Sequence, residues 1–142
     1  MEFGEENVHV LVGPNGVGKT NILEAISLLS LTKSCQKADE TDIMTWGTEF
    51  YRIKAQALTD GDEEKSLELV SQVSPRKQKA CFINDVKVPI NQMVGSLPTV
   101  IFLPQDLEIF TGAPARRRGF LDQLLCQVSP EYMQVLMQYA KV

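Results

Sequence analysis

Several features that would point to particular protein classes are missing from this sequence. The 142 residues contain only three cysteines, Cys35, Cys81 and Cys126, and their spacing fits neither a disulfide framework nor a zinc site. No apolar run approaches the ~20 residues of a membrane span. The acidic start, residues 1–6, lacks the basic and apolar regions of a secretory signal. We therefore expect a cytoplasmic protein with reduced thiols and no membrane partner.

The composition also contains little that is typical of a nucleic-acid-binding protein. Lysine and arginine number 14 against 18 aspartates and glutamates, so the net charge is −4. A basic patch can still exist locally, because binding depends on where the charges lie. Hydrophobic residues at 44% and charged residues at 23% are ordinary values for one globular domain of this length.

One motif carries clear chemical information. The pattern G-x-x-x-x-G-K-[ST] occupies Gly13, Pro14, Asn15, Gly16, Val17, Gly18, Lys19 and Thr20. Residues 8–12 before it are an apolar run that predicts a buried parallel strand, and residues 21–29 after it predict an amphipathic helix. In that context the loop N–H groups bind phosphate oxygens, Lys19 reaches the β- and γ-phosphates, and Thr20 ligates Mg²⁺. The sequence therefore predicts a nucleotide site, with ATP and Mg²⁺ as the expected ligands.

The segment after this helix predicts an antiparallel meander. Strand candidates cover residues 51–58, 66–73 and 79–88. The last candidate contains two short strands joined by a tight turn at Asn84 and Asp85.

A strand and two helices are predicted in the last third of the chain. Residues 100–103 form a second buried-strand run. One helix is predicted to start near Pro114. Another has Ser129 as its N-cap and Pro130 in its first turn, and it is predicted to run to Val142.

The order of these elements distinguishes classes of P-loop protein. A GTPase would carry Asn-Lys-x-Asp and Asp-x-x-Gly motifs, and neither occurs here. A small kinase would continue in βαβ units with an arginine-bearing lid. An antiparallel segment after the P-loop helix is typical of ABC and SMC ATPases. The predicted fold is therefore α/β: a P-loop NTPase core of that kind, with an antiparallel β subdomain and a C-terminal helical lid.

Two separate stretches resemble the RecF family of DNA replication and repair ATPases. Residues 13–26 read GPNGVGKTNILEAI, close to that family's usual Gly-Lys-Thr-Asn-Leu-Leu-Glu-Ala-Ile. Residues 100–107 and 112–122, VIFLPQDL and GAPARRRGFLD, are similar to its F-x-P-E-D-L and G-x-P-x-x-R-R-x-F-L-D wording. Tyr132 and Tyr139 also fall where the family carries tyrosines. The likeness covers nearly the whole chain.

The resemblance implies an SMC-like ATPase head that binds ATP and Mg²⁺ and forms an ATP-dependent homodimer. It implies binding to DNA, both single-stranded and gapped duplex. It also implies partnership with RecO- and RecR-like proteins in loading recombinase during DNA repair, replication, recombination and the SOS response to DNA damage.

The chain also departs from that family. The signature Leu-Ser-x-Gly-Gln and a Walker B run ending in Asp-Asp or Asp-Glu are absent, and Ser34-Cys35-Gln36 stands where relatives read Ser-Phe-Arg. We therefore expect a head portion over residues 1–113, with the meander at about 50–90, and the start of a lid over 114–142. The chain is expected to be truncated at both ends. No catalytic residue is assigned within it, and little ATPase activity is expected from it alone.

The candidate site residues fall into three groups. The nucleotide is expected at Gly13, Pro14, Asn15, Gly16, Val17, Gly18, Lys19, Thr20 and Asn21, with Thr20 as the Mg²⁺ ligand. Gln105 is a further candidate for sensing Mg²⁺ and the γ-phosphate, although an ordinary loop residue fits equally well. DNA-binding candidates are Arg76, Lys77, Lys79, Arg116, Arg117 and Arg118, each of which also fits a solvated turn or a structural ion pair.

Two other functions fit the same residues. One is the head of another SMC-like or ABC-type ATPase, which would bind ATP without the RecO and RecR partnership. The other is a DNA-binding module with a vestigial P-loop. Trp46, beside Gly47, is predicted to be a packing residue of the β subdomain rather than a platform for base stacking.

Overall fold

The computed structural model describes residues 1–4, 6–59 and 61–140. Its elements in chain order are α1 (Lys19–Leu31), α2 (Glu40–Ile43), β1 (Phe50–Leu58), β2 (Glu64–Gln72), β3 (Gln78–Ile83), β4 (Val86–Val88), α3 (Ile90–Met93), a 3₁₀ turn (Pro104–Leu107), α4 (Glu108–Thr111), α5 (Pro114–Val128) and α6 (Pro130–Tyr139). None of the described helices combines the length and the apolar character needed to cross a membrane.

The four strands form an antiparallel sheet in the order β1-β2-β3-β4, which confirms the predicted meander. Asn84 and Asp85 join β3 to β4 with φ angles of 50° and 62°, the left-handed conformation that a two-residue hairpin turn requires. Side chains alternate along β1 and β2, so the sheet has one buried face and one solvent-facing face.

The hydrophobic core lies between the buried face of the sheet and the C-terminal half of α1. Its fully buried members are Leu28, Leu29, Leu67, Leu69, Cys81 and Met93. The leucines come from α1 and β2, and α3 contributes the methionine. The P-loop helix is therefore anchored to the sheet by its C-terminal half, which leaves its N-terminal end free for the loop.

The two predicted buried strands are wrong for this structure. Residues 8–12 and 100–103 run without assigned strand pairing. Val8, Val10 and Val12 are 76%, 76% and 87% exposed, and Val100 is 77% exposed. A parallel strand is stable only when neighbours bond its backbone and cover its faces. Within the described residues, neither run has such a neighbour.

The predicted helices near the C-terminus are confirmed. α5 begins at Pro114, and the Ser129 hydroxyl caps α6 by accepting the Tyr132 N–H at 3.1 Å. The Tyr132 hydroxyl in turn donates to Asp122 at 2.5 Å and so joins α6 to α5. The predicted extension of α6 to Val142 lies outside the described residues.

Candidate phosphate-binding site

The P-loop backbone adopts the conformation that its glycines permit. Gly16 and Gly18 have φ angles of 84° and 98°, a region that other residues rarely enter. The Pro14 carbonyl accepts the Val17 N–H at 3.4 Å and closes the turn. An added Cβ at Gly16 would meet no atom within 4 Å, so the space over the loop is open. The loop is therefore formed and accessible.

The Lys19 side chain folds back across the loop. Its ammonium donates to the carbonyls of Gly13 and Pro14, both at 2.8 Å. Both contacts are solvent-exposed, so the ammonium can exchange them for phosphate oxygens without losing a buried bond. Lys19 is thus held beside the position where the phosphates are expected.

The N-terminus of α1 has the chemistry of an anion site. Gly18 is its N-cap, and no side chain of the described residues caps the first turn, which contains no acidic residue. The first N–H groups and the positive end of the helix dipole are therefore available to a bound anion. Thr20 and Asn21 lie exposed in this turn. These residues fit the phosphates of ATP, and the Thr20 hydroxyl is a ligand type that Mg²⁺ accepts.

Gln105 lies away from this loop. It lines a cavity of about 730 Å³ together with Leu31 and Thr32, at the C-terminal end of α1. The 13 residues of α1 separate its two ends by roughly 18 Å. None of residues 13–21 lines the cavity. A role for Gln105 at the nucleotide therefore stays a prediction.

Asp106 caps the 3₁₀ turn from inside it. Its carboxylate accepts the Leu103 N–H at 2.7 Å. The N-cap position of this turn is Leu103.

The three arginines at the start of α5 have different surroundings. Arg116 pairs with Glu108 at 2.6 Å, and Arg117 donates to the carbonyls of Ile109 and Gly112 at 3.3 and 3.1 Å. Arg118 is exposed and forms no ion pair within the described residues. These contacts compensate two of the cations at the helix start, where the dipole disfavours them.

Asp122 lies four residues after Arg118 on α5, the spacing at which helical side chains can pair. The structure instead gives that carboxylate to Tyr132, and this hydrogen bond raises the pKa of the Tyr132 hydroxyl.

The cations of the β2–β3 turn also differ from one another. Arg76 and Lys77 are exposed and unpaired within the described residues. Lys79 is mostly buried, lies 2.5 Å from the Glu40 carboxylate and donates to the Thr32 carbonyl at 2.9 Å. Its charge is thus used inside the protein, which makes it a weaker DNA-binding candidate than Arg76 and Lys77.

Glu40 is the centre of a polar network that the sequence did not reveal. Besides Lys79, it accepts hydrogen bonds from Tyr51 at 2.6 Å and Ser71 at 2.8 Å. Burial alone would raise the pKa of Glu40, but these three donors outweigh it and hold the pKa below its ordinary value. The network joins α2 to β1, β2 and β3.

A second network holds α5 to the P-loop helix. The Gln127 side chain is buried; its oxygen accepts the Thr99 N–H at 2.8 Å, and its nitrogen donates to the Thr99 carbonyl at 3.1 Å. The same oxygen accepts the Ser30 hydroxyl at 3.2 Å. Gln127 thus bonds Thr99 as a neighbouring strand would. Nothing in the local sequence distinguishes it from an exposed helical glutamine.

The Ser34-Cys35-Gln36 departure lies beside the P-loop helix. The Cys35 thiol donates to the Glu24 carboxylate at 2.9 Å. Burial and this carboxylate raise the pKa of Cys35 to about 11, so the thiol stays protonated. The other Glu24 oxygen is buried with no hydrogen-bond partner among the described residues. Gln36 is exposed.

Trp46 contradicts the packing role predicted for it, because it is 96% exposed. It stands in a tight turn in which the Thr48 N–H and hydroxyl donate to the Thr45 carbonyl at 3.1 and 2.7 Å. Gly47, with φ of 83°, provides the left-handed position of this turn. The turn therefore directs the indole into solvent.

The comparisons with known sequences agree with the P-loop and extend beyond it. Residues 8–52 match the family described as "AAA domain, putative AbiEii toxin, Type IV TA system". The DNA replication and repair protein RecF of Heliobacterium modesticaldum is 39% identical over 136 residues, which cover 95% of this chain and 36% of that protein. RecF of a Geobacillus species is 36% identical over 142 residues, 100% of this chain and 37% of that protein. The chain spans a little over a third of the length of these curated relatives.

Solved structures give the same result for the fold. A structure of the recombination mediator protein RecF with the ligand abbreviated ATPrS has a TM-score of 0.84 and 32% identity; the match covers 91% of this chain and 34% of that one. The RecF-ATP structure has a TM-score of 0.83, 31% identity and coverage of 89% and 34%. A structure from work on ATP-driven dimerization of SMC ATPases has a TM-score of 0.63 at 16% identity, with 86% of each chain covered. The fold is therefore the α/β P-loop head of the RecF and SMC type.

Proposed function

We propose that this chain, which is similar to RecF proteins along its whole length, forms the ATP-binding part of a RecF-like DNA replication and repair protein. The observation that carries the proposal is the loop itself. Two glycines hold left-handed angles, the α1 N-terminus is uncapped, and the Lys19 ammonium lies 2.8 Å from the loop carbonyls. This arrangement suits a polyphosphate better than any neutral ligand.

Each P-loop residue has a separate task in this proposal. The N–H groups of Gly13 and of residues 15–19 surround the phosphates, and Lys19 neutralises charge on the transferred group. Thr20 and Asn21 face the Mg²⁺ and phosphate side of the first helical turn. Bound Mg²⁺ supplies charge neutralisation of the β- and γ-phosphates. No residue of the chain is assigned as the base that activates water, so we expect little hydrolysis from these 142 residues alone.

The remaining functions follow from the relatives' names and from the resemblance. We propose that the intact protein binds DNA at single-strand gaps, dimerises with ATP, and works with RecO- and RecR-like proteins to load recombinase in the cytoplasm. In this proposal residues 1–113 belong to the ATPase head, and residues 114–142 begin the helical lid. Arg116, Arg117 and Arg118 lie in the first turns of α5 and therefore at the start of this lid.

The experiment is a titration of the chain with a fluorescent ATP analogue and Mg²⁺. We expect saturable binding that Lys19→Ala weakens at least tenfold, because the only charged P-loop donor is removed. Lys33→Ala is the matched control, since Lys33 is an exposed lysine beyond the other end of α1 and should leave binding unchanged. Thr20→Ala should weaken binding only when Mg²⁺ is present. Equal binding by the wild type and Lys19→Ala would refute the nucleotide site.

The same variants distinguish the two rival functions. A vestigial P-loop predicts DNA binding that is unchanged by nucleotide and by Lys19→Ala. Another SMC-like head predicts ATP binding without association with RecO- or RecR-like proteins, which a pull-down measures. The fold shared with an SMC ATPase structure is the observation that keeps this second rival in view.

A further inference from the structure

Two turns meet at one end of the antiparallel sheet. Phe50 pairs with Gln72, and the Val73 N–H donates to the Glu49 carbonyl at 2.9 Å, so the β1–β2 ladder continues one residue beyond both strands. The turn that contains Trp46 precedes β1, and the turn that contains Arg76 and Lys77 follows β2. Both turns therefore leave the sheet at the same end. We call Trp46, Phe50, Arg76 and Lys77 the tip surface.

The aromatic residues of the tip surface are exposed without an evident structural need. The Trp46 indole is 96% exposed, and the Phe50 ring is 57% exposed. Their ring faces are open to solvent over much of their area. The hydrogen-bonded turn fixes the backbone around Trp46, so little backbone ordering is lost when a planar group stacks on the indole.

The cations of the tip surface are available for an anion. Arg76 and Lys77 are exposed, and neither pairs with a carboxylate among the described residues. The nearby Lys79 does pair, with Glu40, so that partly buried carboxylate is already neutralised. Residues 44–50 and 73–78, which contain the two turns, include one carboxylate, that of Glu49. The tip surface therefore keeps a local excess of positive charge in a chain whose net charge is −4.

Open aromatic faces beside unpaired cations match the chemistry of single-stranded nucleic acid. Unpaired bases stack on aromatic rings, and backbone phosphates contact arginine and lysine. The bases of a duplex are already stacked on one another, so they offer no free face to an indole. We propose that the tip surface binds single-stranded nucleic acid, by stacking on Trp46 and Phe50 and by phosphate contacts to Arg76 and Lys77. For DNA as the ligand, this inference rests on the proposed repair function.

The chain contains one tryptophan, so tryptophan emission, excited at a wavelength where the three tyrosines absorb little, reports on this surface. The experiment is a titration of the chain with a 20-mer of deoxythymidine at low salt. Stacking on the indole quenches its emission, whereas a blunt duplex of equal length should quench much less. With two phosphate contacts, the slope of log binding constant against log salt should be roughly −1.4.

Matched variants locate the binding. Arg76→Ala with Lys77→Ala leaves the tryptophan in place and should lower the affinity at least fivefold while flattening the salt dependence. The control pair is Lys65→Ala with Lys87→Ala, which removes two lysines from other positions of the same sheet and should leave quenching unchanged. Trp46→Ala, followed by the anisotropy of a labelled oligonucleotide, should weaken binding at least fivefold, which corresponds to ~1 kcal/mol for one stacked base. Circular dichroism checks that each variant is folded.

Three results would overturn the inference, and they differ in meaning. If the labelled oligonucleotide binds but neither Trp46→Ala nor the Arg76 and Lys77 variant changes its affinity, DNA binding stands and its location at the tip surface is refuted. If a polyglutamate peptide quenches Trp46 as strongly as the oligonucleotide, the surface is an acidic-protein site. If no oligonucleotide binds at low salt, the tip surface does not bind single-stranded nucleic acid, whereas DNA binding by the intact protein is a separate proposal that this result leaves standing. The nucleotide titration decides ATP binding independently.

Discussion

Two regions of the molecule are stabilised in different ways. The sheet side consists of β1–β4 and the C-terminal half of α1, and the loop side consists of residues 8–18 and the N-terminal end of α1. On the sheet side, Leu67 and Leu69 of β2 are completely buried against α1, and four strands satisfy one another's backbone groups. On the loop side, the valines at 8, 10 and 12 are more than 75% exposed, yet the P-loop is fully formed. A hydrophobic core needs partners from distant parts of the chain. A phosphate loop needs only local backbone angles and one helix end.

The helix α1 belongs to both sides, which explains how the exposed loop keeps its shape. Its C-terminal half contributes Leu28 and Leu29 to the core, and its N-terminal end presents the anion site. Burying a leucine contributes about 1.5–3 kcal/mol, so the sheet holds the helix firmly. The loop then needs little stabilisation of its own beyond the left-handed angles of Gly16 and Gly18.

The largest expected effect comes from the core of the sheet side. Leu69→Ala should lower the free energy of unfolding by about 2–5 kcal/mol, because the site is fully buried and leaves a cavity. Val10→Ala, at a position 76% exposed on the loop side, should change it by less than about 0.5 kcal/mol. Urea unfolding followed by circular dichroism measures both. Similar losses in the two variants would contradict the division into two sides.

The next effect concerns the link between α5 and α1. Gln127→Ala leaves the Thr99 backbone groups without their partner in a partly buried place and should cost about 1–3 kcal/mol of unfolding free energy. Gln123→Ala, one turn earlier on α5 and exposed, is the control and should cost less than about 0.5 kcal/mol. The same urea titration applies. If Gln127→Ala is as mild as its control, the network does not hold α5 in solution.

A smaller effect, dependent on pH, tests the Glu40 network. The folded pKa of Glu40 lies below its ordinary value of 4.5, so its contribution is present above that pH. The contribution is lost as pH falls through the lowered folded value. Glu40→Gln should therefore cost roughly 1 kcal/mol at pH 7 and progressively less in acid. Glu49→Gln at the exposed end of the sheet is the control. A pH-independent cost would show that the Glu40 charge has no part in stability.

The last prediction concerns the reactivity of Cys35 and has the smallest expected effect on the free energy of unfolding. With its pKa at about 11, Cys35 should react with iodoacetamide at pH 8 roughly 100-fold more slowly than a thiol at the ordinary value of 9.0. Glu24→Gln removes the neighbouring charge and should speed the reaction. Mass spectrometry of the labelled peptides follows Cys35 separately from the other two thiols. Fast alkylation of the wild type would show that the thiol is neither buried nor bonded to Glu24.

The sequence was a good guide wherever local chemistry decides the structure. The P-loop, the Asn84-Asp85 turn and the Ser129 cap each depend on residues only a few positions apart, and all three are present as predicted. The strands predicted from the apolar pattern of residues 8–12 and 100–103 are absent from the described residues. A buried strand depends on neighbouring strands, and a run of valines does not specify those neighbours.

The polar residues that join distant elements were missed for the same reason. Gln127 bonds Ser30 across 97 positions of sequence, and Glu40 bonds Ser71 across 31. Neither has a local signature, since glutamine and glutamate are common on exposed helices. The exposure of Trp46 was equally unreadable, because tryptophan usually packs and only the geometry of its turn directs it outward. The sequence did not distinguish structural cations from available ones. Within the described residues Lys79 pairs with Glu40, whereas Arg76 forms no ion pair.

The contact between Lys79 and the Thr32 carbonyl places a positive charge at the C-terminal end of α1, where the helix dipole is negative. The negative pole of the helix receives an ammonium from β3, while its positive pole faces the P-loop with no acidic residue in the first turn. One pole is therefore neutralised from within the protein and the other is left for the ligand. When phosphate occupies the loop, charges of alternating sign follow one another: the phosphate, the positive and negative ends of α1, Lys79 and Glu40. The nucleotide then provides the negative charge at the N-terminal end of α1, and the β subdomain provides the positive charge at its C-terminal end.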